Sequence, residues 1–294
     1  MRQKLSNEQC QTMITELSRV SPISKLTKIL KVPKSTYYYR KSNKLTPNKI
    51  KREKLSKLIY EIWVESHKRY GAPKIHQELI KLGEVHSLKH IQNLMSEKDI
   101  KSITVKKFKP QGGNKYIDEN KVPNILEQNF DSEKAYKKIV RDITYIHTKR
   151  DGWCYLSSYM DLYNNEILGW SFSKEMTTKI VIESLEMACL KIKNTNEVIV
   201  HTDRGSQYTS NIYRELIEKK EMKGSYSRKG NPYDNACIES FHSVLKKELI
   251  HQREYINYEE ANKEIIEFIE GWYNKRRIQK KLNWKSPLDY KKCS

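Results

Sequence analysis

The chain has 294 residues and a formal net charge of +20 at pH 7, with 56 Lys and Arg against 36 Asp and Glu. This length suffices for about two domains, and 19 Tyr, 5 Trp and 5 Phe provide enough bulky apolar surface to exclude wholesale disorder. Five scattered cysteines without a CxxC pair argue against a disulfide framework and a cysteine zinc site. No apolar run approaches the ~18 residues of a membrane span, and the first residues contain no apolar signal segment. We therefore expect a cytoplasmic protein without a membrane partner.

The positive charge is concentrated in the N-terminal part of the chain. Residues 1–120 hold 26 Lys and Arg against 11 Asp and Glu, whereas residues 121–294 hold 30 against 25. A basic region beside a nearly neutral one is typical of a polyanion-binding arm on a separate body. Because phosphate contacts give affinity through counterion release, the charge favours nucleic-acid binding. Charge alone leaves open a soluble lysine-rich protein that binds no nucleic acid.

The first predicted unit is an N-terminal helix-turn-helix in residues 1–45. Apolar residues at helical spacing are followed by a break at Val32-Pro33 and then by a second short helix. Such a helix, turn and basic helix are the layout of a helix-turn-helix, although many helical hairpins look alike. The candidate recognition helix carries three possible DNA-contacting residues, which are Lys34, Tyr37 and Arg40.

A second helix-turn-helix module is predicted for residues 46–103. In this module Pro73 opens a helix, Gly83 ends it and Ser87 caps the next one. Residues 104–124 are basic, punctuated by Gly and Pro, and aperiodic, which predicts a linker. Two basic helix-turn-helix units in tandem favour DNA over RNA as the nucleic-acid partner.

The pattern changes after about residue 125, where β-rich runs alternate with amphipathic helices. Three strands, a helix, a strand, a helix, another strand and a final strong helix describe a mixed sheet covered by helices, which is an α/β domain. The predicted strands are 139–146, 153–163, 167–172, 198–201 and 223–227, and the predicted helices are 177–193, 211–220 and 234–249. We assign residues 125–275 to this core and 276–294 to a C-terminal tail.

Three acidic residues of the core are candidates for chemistry. Asp142 lies within the first strand, and Asp203 directly follows the strand at 198–201, where functional groups collect in open sheets. Glu239 lies early in the last strong helix, and Lys246, seven residues later, nearly eclipses it on the helix. Spacing alone leaves open an ordinary boundary glutamate and a solvated lysine. Beside Asp203, the side chains of Arg204 and Tyr208 can contact phosphate or sugar.

Several motifs make the chain similar to a known family. The runs DITYI, HTDRGSQYTS and GNPYDNACIESFHSVLKKE resemble the integrase core of bacterial insertion-sequence transposases, and most closely the downstream, orfB-type product of elements with two overlapping frames. Upstream, HKRYGAPKIHQEL resembles that family's helix-turn-helix module, and WYNKRRIQKKLNWKSPLDY resembles its C-terminal tail. The resemblance therefore covers nearly the whole chain. One departure is Ile139, where the family usually has Trp, and it concerns a packing contact.

The resemblance implies an RNase H-like integrase core, a mixed five-stranded sheet with flanking helices, preceded by small all-α helix-turn-helix units. It also implies that Asp142, Asp203 and Glu239 form a catalytic Asp-Asp-Glu triad that binds Mg²⁺ or Mn²⁺, with two ions in each site. Three converging carboxylates repel one another, so they need divalent cations, for which carboxylate oxygens are suitable ligands. Two ions support an in-line displacement at phosphorus, with water for strand cleavage and a 3′-hydroxyl for strand transfer. Lys246 is expected to contact DNA phosphate near the cut.

The resemblance further implies the molecular partners. The first partner is double-stranded DNA, both as the terminal inverted repeats and as the target. The others are further copies of the chain, as a homo-oligomer in the DNA complex, and a helix-turn-helix product of an upstream frame. The expected location is the nucleoid in a bacterial cytoplasm. Two alternatives stay open, namely a DNA-binding regulator whose core has decayed or serves only in assembly, and a general RNase H-like nuclease. The nuclease leaves the two N-terminal units without a role.

Overall fold

The structure is a computed structural model, which describes residues 6–41, 46–104, 123–203, 211–228 and 232–293. The chain divides into two compact units, residues 1–61 and 62–294. Most of the predicted linker at 104–124 lies outside the described ranges. Within those ranges, no helix is both long and apolar enough to cross a membrane.

The first unit is helical, as predicted. A capping box starts its first helix, because the Ser6 side chain accepts a hydrogen bond from Gln9 N and the Gln9 side chain accepts one from Ser6 N. Its small core contains Ile14, Leu26 and Tyr37. The helices are α1 (Asn7–Leu17), α2 (Ile23–Ile29), α3 (Lys34–Lys41) and the first part of α4 (Pro47–Glu65).

The second unit begins with two short helices, α5 (Ala72–Lys81) and α6 (Leu88–Glu97). The predicted helix signals are confirmed. Gly83, just after α5, has φ +83°, which is a left-handed conformation that favours glycine at a helix end. The Ser87 hydroxyl accepts a hydrogen bond from His90 N and thereby caps α6.

The predicted mixed sheet of five strands is confirmed. Its spatial order is β3-β2-β1-β4-β5. Strand β1 is antiparallel to β2, which is antiparallel to β3, whereas β4 pairs in parallel with both β1 and β5. The strands are β1 (Lys138–Thr148), β2 (Gly152–Asp161), β3 (Ile167–Ser173), β4 (Ile199–Thr202) and β5 (Lys223–Tyr226).

One face of the sheet packs on α7 (Thr178–Lys191) and α8 (Asn211–Lys219), and we call it the apolar face. Helix α7 approaches β3 closely at Gly169, where an added Cβ would lie 2.2 Å from the carbonyl oxygen of Ser184. Glycine at this position therefore permits the close packing of helix on sheet. The buried cluster includes Ile139, Leu168, Ile180, Val181, Leu185, Ala188, Val200 and Tyr213.

The opposite face packs on α9 (Ala236–Glu248), which follows a 3₁₀ turn at Pro232–Asn235, and we call it the polar face. On this side the Trp170 ring N–H donates to Glu270 Oε1 at 3.0 Å. The chain ends in α10 (Tyr258–Ile266), a π-helical segment at Glu267–Tyr273, and α11 (Pro287–Lys292).

Side chains cover the outer edge of β3. The Asn274 side chain accepts from Ile167 N and donates to Ile167 O, both at 2.9 Å. The Tyr258 hydroxyl donates to Phe172 O at 2.8 Å. Backbone groups at both ends of this edge strand are thus satisfied without a further strand.

The C-terminal end of α9 is tied to the segment before α5. Glu248 accepts two-pronged hydrogen bonds from the Arg277 guanidinium at 2.8–3.1 Å, and both side chains are largely buried. The Arg69 guanidinium donates to Glu248 O at 3.3 Å, and the Tyr70 hydroxyl accepts from Ile278 N at 3.0 Å. These bonds join the helices α5 and α6 to the sheet-bearing part of the second unit.

Candidate active site

The sheet topology places Asp142 and Asp203 on neighbouring strands. Strands β1 and β4 are parallel, and Val140 lies opposite His201. Asp142 lies two residues after Val140, and Asp203 lies two residues after His201, directly beyond the end of β4. Residues two apart in extended chain point to the same face. The two aspartates therefore lie at the same level of adjacent strands.

The end of β4 is held by a buried histidine. His201 Nδ1 lies 2.8 Å from Ser225 Oγ, and its Nε2 lies 3.0 Å from Ser227 Oγ. Burial lowers the pKa of His201 to about 4, against a smaller opposing effect of Asp234. The ring is therefore neutral at pH 7. It links β4, two residues before Asp203, to the end of β5.

The start of α9 is fixed against β1. Asn235 Nδ2 donates to Arg141 O at 3.1 Å, one residue before Asp142. The neighbouring Asp234 is buried and accepts from Arg228 N at 2.7 Å and from the Arg228 guanidinium at 3.0 Å. Burial acts to raise the pKa of Asp234, but hydrogen bonds from Arg228 and Gln128 lower it to about 2. This ion pair anchors the turn from which α9 begins.

Glu239 lies close enough to Asp142 and Asp203 for their charges to affect its pKa. It lies in the first turn of α9, on an exposed side of the helix. The pKa of Glu239 is raised, first by desolvation and then by the negative charges of Asp142 and Asp203. The structure thus brings the three acids selected from the sequence within electrostatic reach of one another.

Lys246 lies on the same helix and is partly buried. Desolvation lowers the pKa of its ammonium group, and the negative charge of Asp142 opposes that change. Lys246 therefore lies within electrostatic reach of Asp142, two turns along the helix from Glu239.

His242 also contacts the site, and it is not among the residues predicted from the sequence. Its Nδ1 lies 3.4 Å from Asp142 Oδ2, and its Nε2 lies 2.7 Å from Ser158 Oγ. The available signal was its position three residues after Glu239, because residues at this spacing lie on the same side of a helix.

The donor set fits a divalent cation by its chemistry. Carboxylate oxygens are preferred ligands of Mg²⁺ and Mn²⁺. A bound cation would offset both the desolvation and the repulsion by Asp142 and Asp203 that raise the pKa of Glu239. Among the residues that the structure describes, no three Asp, Glu, His or Cys side chains already form a metal-binding group.

The DNA-contacting residues expected from the sequence have different environments. Lys34 is exposed on α3, whereas Tyr37 on the same helix is 1% exposed and packs with Ile14 and Leu26. Tyr37 is therefore a core residue in this structure, and its expected DNA contact is corrected. Its burial follows from helical spacing, since it faces the apolar residues of α1 and α2. Three further side chains lie outside the described part of the structure, namely those of Arg40, Arg204 and Tyr208.

Family models match most of the second unit. An HTH-like domain model matches residues 51–108, and two integrase core domain models match residues 132–232 and 220–287. The transposase for insertion sequence element IS904 of Lactococcus lactis is 37% identical over 245 residues, which cover 83% of this chain and 95% of that protein. Transposase InsF for insertion sequence IS3A of Escherichia coli is 32% identical over 260 residues, with 87% and 88% covered.

The chain belongs to the IS3 family of insertion-sequence transposases. Membership confirms the predicted fold class, function and enzyme class, a transposase with an integrase core. The HTH-like and integrase core domains indicate that this transposase binds DNA. Among solved structures, the intasome of simian T-cell lymphotropic virus in complex with PP2A regulatory subunit B56 gamma is 14% identical at a TM-score of 0.45, with 79% of this chain and 74% of that chain covered.

Proposed function

We propose that this transposase cuts and joins DNA strands at the ends of its insertion sequence, with Asp142, Asp203 and Glu239 as catalytic carboxylates. One observation carries the proposal. The parallel register of β1 and β4 puts the two aspartates side by side, and their charges add to desolvation in raising the pKa of Glu239. A carboxylate whose ionisation is disfavoured by neighbouring carboxylates is typical of a site that a cation completes.

The same three carboxylates would hold Mg²⁺ or Mn²⁺, as two ions in each site. When bound, such ions lower the pKa of the attacking oxygen and stabilise the leaving one. Asp142 is already oriented for this role, because Ile143 N donates to its Oδ1 at 2.8 Å and leaves the other oxygen toward α9.

The reaction is an in-line exchange at phosphorus. In strand cleavage, the oxygen of water bonds to phosphorus, the bond from phosphorus to the 3′ oxygen breaks, and that oxygen leaves with a proton as a 3′-hydroxyl. In strand transfer, this 3′-hydroxyl bonds to a phosphorus of target DNA and displaces another 3′ oxygen. Since no bond to the protein forms, the chain needs no Ser or Tyr nucleophile.

Lys246 is proposed to contact a DNA phosphate near the cut. Its ammonium group is partly desolvated, and Asp142 is a nearby negative charge. A phosphate would supply a second negative charge, so DNA binding would favour the charged form of Lys246. Arg204 and Tyr208, which follow Asp203 in the sequence, remain predicted contacts of the same DNA.

The basic N-terminal region is proposed to recognise the terminal inverted repeats. Lys34 is exposed on α3 and can reach phosphate or base edges. Arg40 remains a predicted contact of the same DNA. We propose the following division of the chain. Residues 1–45 and 46–103 are two helix-turn-helix units, 104–124 are a linker, 125–275 are the catalytic core and 276–294 are a tail.

The assembly is also proposed rather than observed. Two ends must meet for strand transfer, so we expect a homo-oligomer in the DNA complex, with target DNA as the second DNA partner. An upstream-frame helix-turn-helix product and a cytoplasmic, nucleoid-associated location remain predictions.

A cleavage assay tests the proposed function. The full chain is incubated with duplex DNA of the element's own end, or with a scrambled duplex of equal composition, in Mg²⁺ or in EDTA. We expect strand cleavage at the boundary of the element, in Mg²⁺ only, and on the end DNA only. Equal cutting of both duplexes would support a general nuclease, and specific binding without cleavage would support a regulator.

A second experiment tests recognition by α3. Lys34→Ala should weaken binding to the end DNA, because it removes an exposed cation from the proposed recognition helix. Lys28→Ala is the matched control, since Lys28 is also exposed but lies on α2. Quantitative footprinting measures both variants. An equal loss from the two changes would mean that only total charge matters, and an unchanged footprint for Lys34→Ala would refute its role.

A further inference from the structure

We propose that His242 is a positioning residue, which together with Ser158 holds the Asp142 carboxylate in the orientation that the site needs. The inference rests on the proposed role of Asp142 as a metal ligand. It concerns two residues, His242 and Ser158, that have no role in the proposed mechanism.

The three groups form one continuous chain of polar contacts on the polar face. Ser158 on β2 lies directly opposite Asp142 on β1. His242 reaches down from α9 so that Nδ1 is 3.4 Å from Asp142 Oδ2 and Nε2 is 2.7 Å from Ser158 Oγ. Ser158 and His242 are both buried. The ring therefore bridges two adjacent strands from above.

The protons on Nδ1 and Nε2 of His242 determine which ring nitrogen donates a hydrogen bond and which accepts one. An ionised carboxylate can only accept, so a favourable contact with Asp142 requires a proton on Nδ1 of His242. In a neutral ring Nε2 is then an acceptor, and the Ser158 hydroxyl donates to it. If the ring carries both protons, Nε2 donates to Ser158 instead, and Nδ1–H still faces Asp142. In either state His242 presents a donor to the same carboxylate oxygen.

This contact also sets the distance between two of the proposed metal ligands. Asp142 belongs to β1, whereas Glu239 is carried by α9, one turn before His242. Asn235 secures the start of the same helix through Arg141 O. His242 thus adds a second tie between α9 and β1, at the level of the carboxylate itself. Groups that orient ligands in this way typically change metal affinity or activity by roughly 10- to 100-fold when they are removed.

Two substitutions separate positioning from simple packing. In His242→Asn the amide nitrogen can occupy the place of Nδ1 and still donate to Asp142, but it cannot reach Ser158. In His242→Gln the longer amide can occupy the place of Nε2 and meet Ser158, but it leaves Asp142 without the donor. Both variants replace the imidazole ring with an amide side chain. If His242 only packs, the two variants should therefore change Mn²⁺ binding and cleavage to a similar extent.

The test measures Mn²⁺ binding to the full chain by electron paramagnetic resonance, together with end cleavage in Mg²⁺ and thermal unfolding. We expect His242→Gln to weaken Mn²⁺ binding and cleavage by roughly 10- to 100-fold, with His242→Asn close to wild type. Ser158→Ala should weaken both by a smaller factor. Ser157→Ala is its matched control, because Ser157 is equally buried on β2 but bonds to Ser184 on the apolar face. That control should leave Mn²⁺ binding unchanged.

The outcomes distinguish this inference from the proposed function. If Asp142→Asn retains cleavage and Mn²⁺ binding, the proposed function fails. If Asp142→Asn loses both while His242→Gln and His242→Asn behave alike, only the positioning role fails. If both His242 variants unfold at lower temperature in parallel with their loss of Mn²⁺ affinity, and Ser158→Ala does not change that affinity, packing explains the residue and the inference is refuted.

Discussion

The two faces of the sheet are built from the same strands but from different chemistry. On the apolar face, Ile139 and Leu168 pack with Leu185 of α7 in a continuous hydrocarbon cluster. On the polar face, Asp142 and Ser158 meet His242 of α9 through polar atoms, at 3.4 Å and 2.7 Å. Alternation along β1 sends neighbouring residues to opposite faces, so one strand serves both.

The difference shows where stability and chemistry are separated in this molecule. Burial of hydrocarbon on one face stabilises the fold without directional demands. Polar groups on the other face must each meet a partner, and there desolvation and the charges of Asp142 and Asp203 disfavour the ionised form of Glu239. Changes on the polar face should therefore affect the reaction first, and changes on the apolar face should affect unfolding first.

The largest effect is expected from the acids of the polar face. Asp142→Asn, Asp203→Asn and Glu239→Gln should each reduce end cleavage by about 1000-fold or more. Loss of a proposed metal ligand should cost several kcal/mol of transition-state stabilisation, and each tenfold in rate corresponds to about 1.4 kcal/mol. Binding of end DNA should remain nearly unchanged. Cleavage kinetics and gel-shift titrations measure the two quantities, and substantial cleavage by any purified variant in Mg²⁺ would contradict the triad.

The next largest effect is expected at the end of α9, where the Glu248–Arg277 pair is buried. Arg277→Met should lower the free energy of unfolding by about 3–5 kcal/mol, because it leaves the Glu248 carboxylate buried without its main partner. The control is Arg253→Met, which removes a half-exposed ion pair with Glu264 and should change stability by less than about 1 kcal/mol. Urea unfolding measures both.

The pH dependence of the same pair supplies a second measurement. Desolvation acts to raise the pKa of Glu248, but the charge and hydrogen bonds of Arg277 outweigh it and lower the pKa. The pair's contribution to stability is therefore complete above the usual glutamate pKa and is lost as pH falls through the lower folded value. Equal acid sensitivity of wild type and Arg277→Met would argue against this account.

On the apolar face, Gly169→Ala should destabilise the fold by about 1–3 kcal/mol, because the new methyl group would meet the backbone of α7 at Ser184 and Ala188. Gly271→Ala is the control, since the nearest atom to its added Cβ is Glu267 Cγ at 3.8 Å. The unfolding temperature should fall for the first variant only. We expect the folded fraction of Gly169→Ala to keep its cleavage activity. A loss of cleavage activity by the folded protein would contradict this prediction.

The smallest effect is a gain of stability in an inactive variant. Because desolvation and the charges of Asp142 and Asp203 raise the pKa of Glu239, its ionisation destabilises the folded state as pH rises above the usual glutamate value. Glu239→Gln should therefore unfold at a slightly higher temperature than wild type at pH 7 without metal, and at the same temperature in acid. A lower unfolding temperature at pH 7 would show that the acids do not repel one another.

Local signals were sufficient to predict the five strands and the helices that precede residue 250, but α10, the π-helical segment and α11 were not predicted. Pro73, Gly83 and Ser87 act through their own backbone or the next turn, so the helices around them could be placed from the sequence, as could the five strands by their apolar runs. The side-chain environments could not. Tyr37 shares its helix with exposed Lys34, yet it is buried, and His242 gains its contacts from a strand 84 residues away in sequence.

Arg141 makes the same point. In sequence it is a charged residue beside a candidate ligand, but the fold buries it on the apolar face, with its guanidinium 4.3 Å from the Tyr213 ring centroid and 5.5 Å from that of Tyr159. A cation can be buried there because two rings present their electron-rich faces to it. Such a site depends on α8 and β2 meeting in space, which no local pattern specifies.

The covered edge of β3 has a consequence for self-association. An edge strand with free backbone groups is a template for pairing with another chain, but Asn274 and Tyr258 already occupy backbone groups at both ends of this one. Extension of the sheet from one copy into the next would have to displace these side chains. Copies of this transposase that gather on DNA should therefore join through surfaces other than a continuous intermolecular sheet at β3.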